Sequence, residues 1–501
     1  MPRRIATPSR TTRSAGSSAE RGRAGLRTPS VSADKPEAKS VPTSRAARTA
    51  RFGGLVAGQG ARWAGMRAAN AFRSEERGDI AQAQRAAATA NELVARLGEM
   101  KGAAMKIGQV LSTVDFELIP EDEREQFKEK LAALRDDAPR VPFAKQRRLM
   151  ESELGGKLSD VFAAFDETPI AAASIGQVYR ARTQVGDEVA VKVQYPGIAE
   201  AVETDLRNLN VLLPLVKRMA PGLDVRAIAG ELRERIGEEL DYEIQAQNQR
   251  AVARAFRGHP YIRVPAVDTA LSTRRVLVTE YVEGRSFDAV KRLPAAERDR
   301  FAEICFRFFF GLLTRERIAA GDPHPGNVLL APDGKLVFLD FGLVRHVSPD
   351  YLDGERALAR AVLARDAPQV KRSMAELGYL PEPDGFDDER LLEQLLVAAG
   401  WYFEPGFRRI DPEYVRSTLE QGSSPRSAFF GQMRRQTVPP QALLMRRMEG
   451  LLFSVFGELR AGARWHDLVS EYVAGAPPST KLGEVEQAWL TGAPDPAAVA
   501  A

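Results

Sequence analysis

Apolar positions first become periodic near Asn91. Leu93, Leu97, Met100, Ala104, Ile107 and Leu111 recur at spacings of 4, 3, 4, 3 and 4, which puts them on one stripe of an amphipathic helix. A second helix is predicted from Glu121 to about Arg135: Pro120 precedes it, acidic residues fill its first turn, and Phe127, Leu131 and Leu134 form its stripe. A third, near Phe143 to Leu154, stops at Gly155-Gly156. The chain is thus helical for a long stretch before any strand.

The period then shortens. Val178 to Thr183 and Glu188 to Val193 read as two strands joined by a turn at Gly186-Asp187. Helices are predicted over Leu206 to Met219 and Ile228 to Phe256, then a buried strand over Arg275 to Thr279. Phe301, Ile304, Phe308 and Leu312 line one side of a helix from Ala295 to Arg317. Val328 to Leu330 and Leu336 to Leu339 form a short hairpin around Asp333-Gly334, and beyond Tyr351 the pattern is helical. No internal repeat is visible. Leu443, Leu444, Met448, Leu451, Leu452 and Val455 give Gln441 to Leu459 a wide apolar face, read as a helix packed on the second lobe, with a membrane-interface helix as the rival. This order predicts an α+β, bilobal protein-kinase-like fold: a small β-containing N-lobe and a helical C-lobe, with helices added at both ends.

Composition changes the picture mainly at the N-terminus. The 501 residues are 44% hydrophobic and 28% charged, enough for a large core in more than one domain. Residues 1–50 hold 11 of the 71 basic and 3 of the 67 acidic residues, leaving 60 basic and 64 acidic in the body. The basic excess is therefore a tail, and the body is no general polyanion binder; no nucleic-acid partner is expected. Without apolar periodicity the tail is expected to be disordered. Its basic, Ser-rich composition also fits an organellar transit peptide, although Pro2 and Pro8 oppose a helix there. Cys305 alone excludes a disulfide framework, and His259, His324, His346 and His466 show no metal-ligand spacing. The richest apolar run, Cys305 to Leu313, is broken by Arg307 and Gly311, so no membrane-spanning helix is predicted.

Four elements occur in the order that phosphoryl transfer requires. Ala171, Ala172, Ala173, Ser174, Ile175, Gly176, Gln177 and Val178 stand where a kinase has G-x-G-x-x-G-x-V over the phosphates, but alanines replace the first two glycines. Alanine restricts positive φ and close backbone approach, so this loop should drape less freely. Val189 to Val193 match V-A-I-K, with Lys192 the phosphate-gripping lysine. Asp322 stands five residues before Asn327 within Gly-Asp-Pro-His-Pro-Gly-Asn, the spacing of a catalytic base and a metal-binding amide. Asp340-Phe341-Gly342 closes a buried strand and supplies a metal-binding carboxylate. Singly these read as an Ala-rich turn, a snorkelling lysine, a Pro-Gly turn and a common tripeptide; together they point to ATP with Mg²⁺ or Mn²⁺. Leu277 to Gly284 reads as the hinge that receives adenine through the backbone of Glu280 and Val282.

These residues resemble the UbiB (AarF/ADCK) family of atypical kinases over roughly Arg51 to Val473. Lys106-Ile107-Gly108-Gln109 is similar to the family's K-x-G-Q element, Ala171 to Val178 to its Ala-rich loop, and Val191 to Gly197 to its own stretch there. Glu239-Leu240-Asp241 is similar to its E-x-D element, and Asp322 to Asn327 to its D-P-H-P-G-N loop. The resemblance implies N-terminal helices that carry Lys106 and Gln109 over the cleft and a role in isoprenoid-lipid or quinone metabolism; as a long flexible cation, Lys106 is expected to meet a carboxylate there, Glu239 or Asp241. Three departures stand out. Gln245 occupies the position of the carboxylate that pairs with the strand lysine, Ala320 stands where the family tends to have His, and no C-terminal membrane-spanning pair is visible.

The expected organisation is a tail (1–50), a helical extension with the K-x-G-Q element (51–155), an N-lobe (156–284), a helical C-lobe (285–475) and a flexible C-terminal tail (476–501). The expected activity is that of an ATP- and Mg²⁺-dependent atypical kinase or ATPase, with Asp322 orienting and deprotonating the acceptor. A non-catalytic nucleotide switch controlling a membrane-associated partner is the alternative. A conventional Ser/Thr kinase is disfavoured because A-P-E is absent and Ser348 is the only hydroxyl near Gly342. Expected partners are nucleotide, a lipid or membrane surface, and a second copy in a homodimer. The expected location is cytoplasmic or membrane-peripheral, or an organellar matrix if the tail is a transit peptide.

Overall fold

The computed structural model describes residues 141–173, 175–204, 206, 230, 237–423 and 427–493. The tail, the helices expected over 91–111 and 121–135, Lys106, Gln109, Ser174 and most of the helix expected from Leu206 lie outside them.

The small lobe is a six-stranded antiparallel sheet. Its strands are β1 (Phe162–Phe165), β2 (Ala171–Ala172), β3 (Gly176–Thr183), β4 (Glu188–Gln194), β5 (Val267–Asp268) and β6 (Val276–Glu280). β1 and β2 both pair with β3, and the order continues β3-β4-β6-β5. Side chains alternate along each strand, so one face takes Tyr179, Val189, Val191, Val193, Val276 and Val278 into a core with Leu149, Met150 and Phe162. The other face keeps Val178, Ala190, Lys192, Leu277 and Thr279 for the cleft between the lobes. Leu149 and Met150 lie on helix α1 (Phe143–Leu154), which ends at Gly155 as expected. Its burial places α1 within the small lobe rather than in a separate extension ending at 155.

A second difference concerns the helix expected over Ile228 to Phe256. Residues 237–239 are helical, but the chain turns at Leu240-Asp241 and restarts as α2 (Tyr242–Ala255). Asp241 causes the restart: its carboxylate accepts from Glu243 N at 3.0 Å and Ile244 N at 3.4 Å, an N-cap that competes with continuous helix.

The large lobe packs around α3 (Ala295–Glu316), whose Phe306, Phe308, Phe309 and Phe310 are all buried. Four short strands follow it: β7 (Ile318–Ala320), β8 (Val328–Leu330), β9 (Leu336–Phe338) and β10 (Val344–His346). β8 and β9 form the expected hairpin, and β7 pairs with β10. Phe338 stacks on Phe308 with centroids 3.6 Å apart, which seats the hairpin end on α3. Beyond it come mainly helices, including α4 (Pro349–Leu363) and α5 (Pro440–Leu459).

Helix α5 settles the Gln441–Leu459 question in favour of packing. Leu444, Met445, Met448, Leu452, Phe453, Val455 and Phe456 are buried, and Arg446 is held by Glu355 of α4 and by Glu449 at 2.6 Å. Among the described residues no helix is long and apolar enough to cross a membrane.

The segment after 476, expected as a tail, contains α6 (Lys481–Thr491), and Glu486 on it is buried. The reason is a charged pocket on α3. Arg307, only 1% exposed, meets Glu471 at 2.8 Å, Glu303 at 2.8 Å and Glu486 at 3.0 Å, while Arg315 reaches Glu486 at 2.9 Å. Burial would raise the Glu486 carboxyl, but the facing His259 and the Arg315 and Arg307 guanidiniums outweigh it and hold it at about 2. Removing one partner of such a buried set leaves the others uncompensated.

Glu486→Gln is therefore expected to lower stability by about 3 kcal/mol at pH 7, read from urea unfolding. Because the folded-state carboxyl is held down at about 2, its contribution is full above the ordinary carboxylate range near 4.5 and fades as pH falls toward 2. The gap between wild type and variant should narrow over that interval; a constant gap would mean the carboxylate charge is not what docks α6.

Candidate functional site

Lys192 sits mid-strand in β4, opposite Val178 of β3 and Leu277 of β6, on the cleft face of the sheet. Its Nζ lies 3.1 Å from Asp340 Oδ2 and 3.2 Å from Gln245 Oε1. Gln245 in turn donates Nε2 to Asp340 Oδ1 at 3.2 Å, and Gly342 N donates to the same oxygen at 2.8 Å. A cation, an amide and a carboxylate from three distant segments thus close a triangle. Gln245 is 3% exposed and Glu243 points to solvent, as the helical spacing from Asp241 predicts. The amide accepts from the lysine and donates to the aspartate, which a carboxylate at that position could not do when ionised.

Asp340 follows β9, and its position is set from two sides. Leu339 N bonds Asn327 O at 2.9 Å, which couples it to the Asp322–Asn327 loop. Asn248, one turn beyond Gln245, donates to Phe341 O at 3.1 Å. That link was readable in principle from the 3-residue step along α2. The loop itself is held from below: Gly321 N bonds Leu343 O at 2.9 Å, and Arg447 of α5 donates to Gly321 O at 3.1 Å. A Cβ at Gly321 would stand 1.9 Å from Leu444 Cδ1, so any larger residue would displace the Leu444 side chain. Nothing in the local sequence signals Arg447.

The Ala-rich segment is a tight β2–β3 hairpin. Ala171 pairs with Val178, Ala172 with Gln177, and Ala173 N bonds Gly176 O at 2.8 Å. Tyr195 N bonds Ile175 O at 2.8 Å, tying the turn to the end of β4. Ala171 and Ala172 adopt extended strand geometry, which asks nothing of glycine. Gly176 is different, because a Cβ there would meet Val193 O at 2.3 Å and the Tyr242 hydroxyl at 2.9 Å. Tyr242 is buried with its hydroxyl unpartnered among the described residues. Burial first, then the nearby Asp340 and Glu239 charges, push its phenol well above the usual range, so it stays a neutral O–H.

These groups surround one cleft of about 1260 Å³. Of the expected residues, Ala171, Ala172, Ala173, Ile175, Val178, Lys192, Glu239, Glu280, Val282, Asp322, Asn327 and Asp340 line it. Gly176, buried in β3, is not among them. Glu280 N bonds Ala266 O at 2.8 Å as the sheet ends, and the chain runs on through Val282 into the large lobe. Asp241 does not line the cleft; it caps α2 and lies 3.5 Å from Arg274. Of the two carboxylates expected to face Lys106, only Glu239 is placed at the cleft, while Lys106 and Gln109 lie outside the described residues. Chemically, the cleft sets the Lys192 ammonium beside the Asp340 carboxylate and the Gln245 amide, with the Asp322 and Glu239 carboxylates and the Asn327 amide also in its lining.

Comparison with known proteins identifies the family of the domain that holds this cleft. Residues 133–374 match the model of the ABC1 atypical kinase-like domain. The chain is 32% identical to the mitochondrial atypical kinase COQ8B of Rattus norvegicus, over 74% of this chain and 71% of that protein. It is 33% identical to the chloroplastic protein ACTIVITY OF BC1 COMPLEX KINASE 8 of Arabidopsis thaliana, over 55% of this chain but only 37% of the plant protein. A solved structure, the complex of Rv3197 with erythromycin from Mycobacterium tuberculosis, superposes with a TM-score of 0.58 at 30% identity, covering 79% of this chain and 98% of that one.

The crowding at Gly176 yields a direct test. Gly176→Ala should force the β2–β3 turn away from Val193 and cost about 1–3 kcal/mol, typical of overpacking. A thermal midpoint equal to wild type would mean that the turn has room the structure does not show.

Proposed function

Because this chain belongs to the UbiB (AarF/ADCK) family of atypical kinases, we propose that its cleft binds ATP with Mg²⁺ and uses it for phosphoryl transfer or hydrolysis in isoprenoid-lipid or quinone metabolism. The observation that carries this reading is the Lys192–Asp340–Gln245 triangle, which lies in one cleft with Asp322 and Asn327. Lys192 grips phosphate oxygens, Asp322 orients the acceptor and takes its proton, and the backbone of Glu280 and Val282 receives the base. The β2–β3 hairpin, with Ala171 to Gly176, covers the phosphates.

The residues present fit a divalent cation. One carboxylate oxygen from Asp340 and the Asn327 amide oxygen are hard donors too few to complete an octahedron, which suits Mg²⁺ or Mn²⁺ that keep water and phosphate ligands. Asp340 already draws a positive charge, the Lys192 ammonium at 3.1 Å. When bound, the ion neutralises charge on the phosphates. What the chain itself supplies is position and electrostatics: a base held by a buttressed loop and a lysine held by an amide.

The N-terminal segment is proposed to close the acceptor side of the cleft through Lys106 and Gln109, with Glu239 rather than Asp241 as the partner of Lys106. Support comes from the placement of Glu239 in the cleft lining and the engagement of Asp241 as a helix cap. The setting proposed is the cytoplasm or an organellar matrix with peripheral contact to a lipid surface. A homodimer is part of the same proposal.

Gln245 favours a second reading, a nucleotide switch without transfer, because a neutral amide holds Lys192 less firmly than a carboxylate. Two measurements separate the readings. Asp340→Ala should abolish thermal stabilisation by Mg-ATP; a shift equal to wild type would remove Asp340 from the metal site. Asp322→Asn should keep that stabilisation yet lower phosphate release by at least 100-fold in the presence of anionic or isoprenoid-lipid vesicles. If wild type binds Mg-ATP but matches Asp322→Asn in release under every condition, the switch reading replaces the catalytic one.

A further inference from the structure

His324 lies in the same loop as Asp322 and Asn327, and none of the roles above uses it. It stands two residues past Asp322 and three before Asn327, lines the cleft beside both, and is exposed to it. Its Nδ1 accepts from Gly326 N at 3.0 Å. A nitrogen that accepts carries no proton, so the neutral ring has its N–H at Nε2. The ring is held as well as tautomerised. Pro323 and Pro325 flank it and restrict the backbone, which sits at φ −66° and ψ 133°. Gly326 packs against the ring, since a Cβ there would come within 3.1 Å of Nδ1. A fixed, exposed N–H donor is thus offered to the cleft from the large lobe, while Lys192 approaches from the small lobe and is tied to Asp340 and Gln245.

We propose that His324 Nε2–H donates a hydrogen bond to a terminal phosphate oxygen of the bound nucleotide, which makes His324 a phosphate-contacting residue. The proposal rests on the nucleotide reading above. A donor that needs no reorganisation when charge develops on that oxygen stabilises the transition state more than the ground state.

The competing role is structural, in which His324 only caps Gly326 and shapes the loop. Two substitutions split the ring's functions. In His324→Asn the amide oxygen falls near Nδ1 and can still accept from Gly326 N, but nothing reaches as far as Nε2. In His324→Gln the amide nitrogen reaches toward the Nε2 position, while the cap is lost. Mg-ATP and Mg-ADP affinities by calorimetry, together with phosphate release from ATP in anionic vesicles, are compared with wild type.

The expected result is that His324→Asn keeps its Mg-ADP affinity within about twofold, binds Mg-ATP about tenfold more weakly, and releases phosphate about 10²–10³ times more slowly, the cost of one lost donor. His324→Gln should recover part of both losses. The opposite ranking, with His324→Asn like wild type and His324→Gln impaired, overturns the proposal in favour of a loop cap. If both variants match wild type in Mg-ATP affinity and release, His324 touches no phosphate, and the nucleotide reading stands without it. A wild type that binds neither nucleotide overturns that reading and this one together. If wild type binds without measurable release, the ATP-over-ADP preference decides alone.

Discussion

Asp340 is where the two lobes meet with opposite charge. Its carboxylate receives Lys192 from the sheet, Gln245 from α2 and the Gly342 amide from its own loop. The lysine and aspartate side chains are 18% and 33% exposed, so neither is fully desolvated and the pair is a weak stabiliser. That weakness suits the site. A pair held this loosely can be parted by competing charges at modest cost. The supports behind them are arranged accordingly: β4 fixes Lys192 in register, the α2 face fixes Gln245, and the β8–β9 hairpin seated on Phe308 fixes Asp340.

The parts legible in the sequence were those whose signal is local. The strands around Lys192, the end of α1 at Gly155, the β8–β9 hairpin and α3 all follow from periodicity and turn residues, and the structure places them within a residue or two. The fold class followed because these elements come in a distinctive order, and the comparisons bear out the family, its domain model matching residues 133–374. Gln245 was readable because helical spacing from Asp241 is robust even though the helix breaks there.

What escaped the sequence depended on partners far away. β1, β2 and the strands β7 and β10 are two to four residues long and exist only because another strand or α3 lies beside them. Asp241 was expected as a cleft carboxylate within one continuous helix, and the local backbone instead makes it a helix cap. Glu486 and Lys481–Thr491 looked like a polar tail because their partner, Arg307, lies 179 residues away on an apolar-looking helix. An arginine inside an apolar run is a signal in hindsight, since a fully buried guanidinium needs carboxylates from somewhere.

The buttress beneath the Asp322 loop bears on the order in which the molecule is made. Arg447 and Leu444 of α5 set Gly321, yet they follow it by more than 120 residues, 126 for Arg447. The small-lobe sheet is complete with Glu280, so it can fold while the rest is still being translated. At about 5–20 residues per second, Arg447 is added roughly 6–25 s after Gly321. A ribosome-bound chain therefore carries the finished β2–β3 hairpin before the Asp322–Asn327 loop has a floor, and the two halves of the cleft come together only once synthesis has passed α5.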